Sequence, residues 1–128
     1  MKHIVLVEPD IILAATYKKA LSDAGFSVTP CASAQAAIFA TDQKTPDLII
    51  AELQLIEHSG IEFLYELRSY PEWQAIPVIV HSQIPPTEFS VHANILKASM
   101  GVVHYLYKPL TTLSELVKVT SESIKVPA

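Results

Sequence analysis

The sequence predicts a doubly wound α/β fold, in which a parallel five-stranded sheet lies between two layers of helices. Short apolar runs alternate five times with stretches of helical periodicity along the 128 residues. The high apolar content of the chain implies strands that are buried on both faces and not half-exposed. Half of the residues are hydrophobic and 17% are charged. We expect one domain over residues 1–128.

The first strand and helix are predicted from the N-terminal residues. Residues 3–7 are a short β-branched run that stops before Pro9, since proline cannot continue a central strand. Asp10 can cap the helix that follows. Apolar residues recur at helical spacing over residues 13–24, and Gly25 ends the helix.

The next two units repeat this pattern. Residues 26–31 are predicted as the second strand, followed by a helix over residues 33–40 that Ser33 caps. The third strand has its apolar stretch at residues 48–51 and ends at Glu52. Apolar residues over 61–67 then indicate the third helix.

The last two units complete the alternation. Residues 76–81 are the fourth strand, and a helix over about residues 87–99 follows. Residues 102–107 are the fifth strand. Thr112 and Glu115 have the spacing of a capping box, which opens the final helix.

Composition excludes several classes of protein. The net charge of −4 and the scattered lysines and arginines argue against direct binding of nucleic acid. The apolar runs are too short to cross a membrane. Cys31 is the single cysteine, so an internal disulfide is excluded and a cytoplasmic location is expected.

Four polar residues follow the predicted strands and carry the functional prediction. Glu8 follows the first strand, Glu52 the third, Ser82 the fourth and Lys108 the fifth. The carboxyl ends of parallel strands meet at one edge of the sheet, where ligands of such folds bind. We therefore expect two acids, a hydroxyl and an ammonium group to converge there.

This constellation resembles the receiver domain of two-component response regulators, over essentially the whole chain. The resemblance rests on four stretches in the family's order and spacing: residues 5–8, 46–52, 76–82 and 104–110. It implies a flavodoxin-like (βα)5 three-layer sandwich with strand order 2-1-3-4-5. In the family, an Asp accepts a phosphoryl group with the help of a divalent metal, and Lys108 and Ser82 match the residues that contact the phosphoryl group. Tyr105 matches the aromatic residue that changes position on activation.

The chain departs from the family pattern at two chemically decisive positions. The acceptor position is Glu52, whose carboxylate reaches roughly 1.5 Å further than that of Asp. Such a displacement costs a nucleophile on the order of a hundredfold in rate. The second acid of the family's pair is replaced by Pro9, and Asp10 comes one residue late. We therefore expect no aspartyl phosphorylation, weak or absent Mg²⁺ binding, no cofactor and no enzymatic activity.

Two interpretations of Glu52 stay open at this stage. Its carboxylate could bond Lys108 and Ser82 and so imitate part of the phosphorylated state. Alternatively, the same residues form a plain structural ion pair in a pocket that no longer switches.

The sequence predicts a phosphorylation-independent pseudo-receiver that binds a signalling protein. The expected surface comprises the fourth helix, fifth strand and fifth helix, near His92, Lys97 and Tyr105. A homodimer is possible. Two alternatives are a receiver that uses a displaced acceptor, either Glu52 or Ser82, and a flavodoxin-like cofactor-binding protein.

The remaining aromatic and histidine residues are predicted to be structural. The five histidines lack the spacing of metal ligands. Core or helix packing is expected for four aromatic residues: Tyr17, Phe39, Phe63 and Trp73.

Overall fold

A computed structural model describes residues 1–55, 59–88 and 97–124. It contains five strands: β1 (His3–Val7), β2 (Ser27–Cys31), β3 (Leu48–Ala51), β4 (Val78–Ser82) and β5 (Val102–Tyr107). Four helices have both ends described: α1 (Ile11–Asp23), α2 (Ala34–Gln43), α3 (Gly60–Ser69) and α4 (Leu113–Ser123). The helix α4 is the final predicted helix. Most of the helix predicted over residues 87–99, including His92, lies outside the described residues.

The strands form one parallel sheet in the order β2-β1-β3-β4-β5, which confirms the predicted fold class. The three interior strands, β1, β3 and β4, are buried along their whole length. The edge strand β2 contains Pro30, which an edge position tolerates because one side of the strand needs no hydrogen-bond donor. One core cluster lies under α2 and α3, and the other lies under α1 and α4.

Local signals explain where the helices begin and end. Asp10 accepts hydrogen bonds from the N–H groups of Ile12 and Leu13, and Thr112 and Glu115 form the predicted capping box. Gly25 has a φ of 99°, a left-handed conformation that glycine adopts without steric cost. Each of these signals marks one end of a helix.

One packing prediction is wrong. Phe39 has 66% of its surface exposed, because α2 packs against the sheet through Ala34, Ala37 and Thr41 on another face. Tyr17, Phe63 and Trp73 are buried as predicted.

Candidate functional site

The site lies at the carboxyl end of the sheet, where β1 and β3 run side by side. Val7 pairs with Ala51, so the next residues, Glu8 and Glu52, emerge together. The Glu52 N–H donates to the Val7 carbonyl oxygen at 3.0 Å. Both acids are almost fully buried, with 4% and 3% of their surfaces exposed.

Lys108 places its ammonium group between these two acids. Its Nζ donates to Glu8 Oε1 in a short contact and to Glu52 Oε1 at 3.2 Å. The Lys108 side chain is only 7% exposed, and Nζ also lies 6.0 Å from the centre of the Tyr17 ring. Burial lowers the pKa of Lys108, but the two carboxylates outweigh burial and hold this pKa above its usual value.

Glu52 contacts more than its lysine partner. Its Oε2 accepts a hydrogen bond from the Leu53 N–H at 2.8 Å, and its Oε1 accepts one from the Gln83 N–H at 3.1 Å. Burial alone would raise the pKa of Glu52. Hydrogen bonding from the Ser82 hydroxyl, the Gln83 N–H and Lys108 outweighs burial and lowers this pKa below its usual value. Glu52 is therefore held as a carboxylate.

Asp10 does not join the cluster through its side chain. Its carboxylate caps α1, while its backbone N–H donates to Glu8 Oε2 at 3.1 Å. Pro9 separates the two acids along the chain. The cluster therefore contains two carboxylates and one ammonium group. The third predicted acid, Asp10, caps α1 instead.

Ser82 and Tyr105 meet at the loop that follows β4. Ser82 is fully buried, and its Oγ accepts a hydrogen bond from the Ile84 N–H at 3.0 Å. The Tyr105 hydroxyl donates to the Ile84 carbonyl oxygen at 2.6 Å. Burial raises the pKa of Tyr105 to about 12, so the hydroxyl stays protonated and able to donate.

Sequence reasoning missed the backbone groups of Leu53, Gln83 and Ile84 and the ring of Tyr17. Every non-proline residue has an N–H group, so no residue type marks those that point into a site. His81 is buried against Tyr17, with ring centres 4.7 Å apart, and burial lowers its pKa to about 4. It therefore lies apart from Ser82, on the other face of the sheet, as predicted for adjacent strand residues.

The residues present do not fit a divalent metal of the kind that the resemblance implies. Lys108 already supplies the positive charge between Glu8 and Glu52. Pro9 offers no side-chain oxygen, and the Asp10 carboxylate accepts helix N–H groups. Within residues 1–55, 59–88 and 97–124, no group of three His, Cys, Asp or Glu side chains could hold a metal ion.

Comparison with known proteins identifies the family. The response regulator receiver domain family matches residues 4–121. The chain belongs to this family. It is a receiver domain of two-component signalling, and such domains are signalling modules and not enzymes.

The curated relatives of this receiver domain are longer proteins. It is 31% identical over 109 residues to the KDP operon transcriptional regulatory protein KdpE of Escherichia coli, covering 85% of this chain and 45% of that protein. It is 28% identical over 108 residues to the alginate biosynthesis transcriptional regulatory protein AlgB of Pseudomonas aeruginosa, covering 84% of this chain and 22% of that one. The chain thus spans less than half the length of either relative.

Solved structures share the fold. The chemotaxis protein CheY4 of Vibrio cholerae has a TM-score of 0.84 and 22% identity, covering 96% of this receiver domain and 98% of that chain. A sensor protein from Polaromonas sp. JS666 has a TM-score of 0.85 and 20% identity, covering 96% and 95%. Among the described residues, no helix is both long and apolar enough to span a membrane.

Proposed function

We propose that this receiver domain works without phosphorylation, as a protein-interaction module whose acceptor position holds an unreactive carboxylate. The observation that carries the proposal is the buried Glu8–Lys108–Glu52 cluster. The ammonium group that could contact an incoming phosphoryl group is already shared between two carboxylates. Both oxygens of Glu52 also accept hydrogen bonds, which leaves the group poorly placed for nucleophilic attack.

The charge of the cluster supports the same conclusion. Two carboxylates and one ammonium group leave a net negative site, which repels a phosphoryl donor. A divalent cation would normally offset that repulsion. Because the side chains present do not fit such a cation, we propose that Mg²⁺ binding is weak or absent.

A displaced acceptor receives less support. Ser82 is fully buried, and its Oγ already accepts the Ile84 N–H. A phosphoryl donor could reach it only after the loop beyond β4 had opened. Family membership also argues against the flavodoxin-like cofactor binder, which shares only the fold.

The proposed signalling partner binds the surface around β5 and α4, near Lys97 and Tyr105. Lys97 is exposed, Tyr105 is partly exposed, and His92 of the same predicted surface lies outside the described residues. The acidic net charge argues against direct contact with nucleic acid. A pull-down with the intact chain and with Tyr105→Ala as bait tests this proposal, and equal recovery of the same partner would contradict it.

Incubation with acetyl phosphate and Mg²⁺, followed by intact-mass measurement, tests whether the domain is phosphorylated. We expect no mass gain in the wild-type chain. The matched comparison is the double variant Pro9→Asp, Glu52→Asp, which has acids at both positions where the family has them. Stable uptake of one phosphoryl group on Glu52 or Ser82 of the wild type would refute the proposal.

A further inference from the structure

Tyr17 lies against the buried charge cluster on the side of the sheet that faces α1. The residue has only 8% of its surface exposed. The Lys108 Nζ lies over the Tyr17 ring, 6.0 Å from its centre. The same Nζ donates to Glu8 and to Glu52. The ammonium group is therefore bounded by two carboxylates and by one aromatic face.

The position of Tyr17 on α1 explains why its ring reaches the cluster. The helix α1 begins at the carboxyl end of the sheet, three residues after β1 ends. Long side chains on a helix point back toward its N-terminus, so the Tyr17 side chain is directed toward that end of the sheet. Ala14, about one turn earlier on the same buried face, has a small side chain that leaves space for the ring.

A second ring contacts Tyr17 from the sheet. The His81 ring centre lies 4.7 Å from that of Tyr17, and the two ring planes meet at 65°. Edge-to-face contacts of this kind are favourable for aromatic pairs. His81 follows Ile79 by two residues on β4, and Ile79 belongs to the same core cluster as Tyr17, so both strand side chains point to this face. His81, Tyr17 and Lys108 thus form one stack.

The charges in this stack favour the observed position of the ammonium group. Burial raises the pKa of Tyr17, so its hydroxyl is neutral at pH 7. Burial lowers the pKa of His81 to about 4, so this ring is neutral as well and adds no positive charge beside Lys108. The face of a neutral aromatic ring attracts an ammonium group without competing for it as a third carboxylate would.

We propose that Tyr17 is a positioning residue, which holds the Lys108 ammonium group on the two carboxylates and shields it from water. His81 braces the Tyr17 ring from the side of the sheet. A lysine side chain is a flexible four-carbon chain, and the aromatic face restricts it to one position. The inference rests on the proposed function, because it takes the Glu8–Lys108–Glu52 cluster as the permanent state of the site.

Nuclear magnetic resonance of protein with nitrogen-15-labelled lysine tests this role, with no phosphoryl donor and no Mg²⁺ present. Tyr17→Leu removes the aromatic face, and we expect the Lys108 ammonium hydrogens to exchange with water about tenfold faster. Tyr17→Phe keeps the face and removes the hydroxyl, so it should restore the wild-type rate. His81→Leu removes only the bracing ring and should speed the exchange about threefold. This variant decides the question if Tyr17→Leu does not fold.

Phe63→Leu is the matched control. Phe63 is fully buried in the core cluster on the other face of the sheet, so this variant loses a similar amount of packing away from Lys108. It should lower the stability of the domain and leave the Lys108 exchange unchanged. Unchanged exchange in both Tyr17→Leu and His81→Leu, or equal acceleration in Phe63→Leu, would overturn the inference. Phosphoryl uptake by the wild type would instead contradict the proposed function, and the two failures are thus distinguishable.

Discussion

Replacing Lys108 with methionine tests whether the buried cluster depends on its single positive charge. Methionine has a similar length and no charge. The change leaves Glu8 and Glu52 side by side in a site where each has at most 4% of its surface exposed. Removing one partner of a buried ion pair typically costs about 3–5 kcal/mol, because the remaining charge stays buried without compensation. We expect the free energy of unfolding to fall by about this amount at pH 7.

The loss should shrink as the pH falls. Lys108 is one of the groups that lower the pKa of Glu52, so this pKa rises in the variant. A group whose pKa in the folded state lies above its value in the unfolded state is protonated first in the folded protein, which gains stability on acidification. Urea unfolding at pH 7 and pH 5, together with a carbon-13 NMR titration of the glutamate carboxyl groups, measures both effects.

Lys19→Met is the matched control for this experiment. Lys19 Nζ lies 3.1 Å from Asp23 Oδ2, but the two side chains are 78% and 68% exposed. An exposed pair of this kind contributes about 0.2–1 kcal/mol. A loss in Lys108→Met no larger than in Lys19→Met, with an unchanged Glu52 titration, would refute the reasoning.

Three further substitutions test the packing of the domain. A Cβ at Gly60 would overlap the backbone just after β3. Gly60→Ala should therefore lower the free energy of unfolding, measured by urea unfolding, by about 1–3 kcal/mol. An unchanged free energy would show that this contact is loose. Burial lowers the pKa of His81 to about 4 in the folded state. As the pH falls, the unfolded state therefore binds this proton first, and the protein loses about 3 kcal/mol of stability between pH 6.5 and pH 4. His81→Gln should flatten this pH dependence in urea unfolding, whereas His104→Gln, at an exposed position, should not; parallel profiles for the two variants would contradict the assignment. Within the described residues the buried Thr120 hydroxyl has no hydrogen-bond partner. Thr120→Val should therefore raise the free energy of unfolding by about 1 kcal/mol, which thermal unfolding detects as a higher midpoint temperature. Thr41→Val removes a hydroxyl that donates to a carbonyl oxygen at 2.8 Å, so it should not raise the stability. Equal effects of the two substitutions would contradict the view that the Thr120 hydroxyl is unpaired.

The fold was predictable because its signals are local. The Asp10 cap, the positive φ of Gly25 and the Thr112–Glu115 box each depend on a few neighbouring residues, and all three are present. The face that a helix buries is a tertiary property. Phe39 was wrongly predicted as packed because alanines supply most of the buried face of α2, and their small side chains give a weak periodic signal.

The convergence of Glu8, Glu52, Ser82 and Lys108 was predictable for a geometric reason. Parallel strands end at one edge, so the last residue of each strand or the one after it is brought there whatever the loops do. The distribution of hydrogen bonds among these groups was not predictable. It depends on loop conformations that direct the Leu53 and Gln83 N–H groups at one carboxylate, and neither residue type indicates that role.

The two departures from the family pattern act on the same cation position and reinforce each other. With Pro9 in place of an acid, the site lacks an oxygen ligand that would help a divalent ion displace the Lys108 ammonium group. With Glu52 at the acceptor position, the longer side chain reaches both that ammonium group and the Gln83 N–H. Restoring an aspartate at position 52 alone would leave the Glu8–Lys108 pair intact and position 9 without a ligand. We therefore expect phosphorylation to need both changes together, which is the reason for pairing Pro9→Asp with Glu52→Asp.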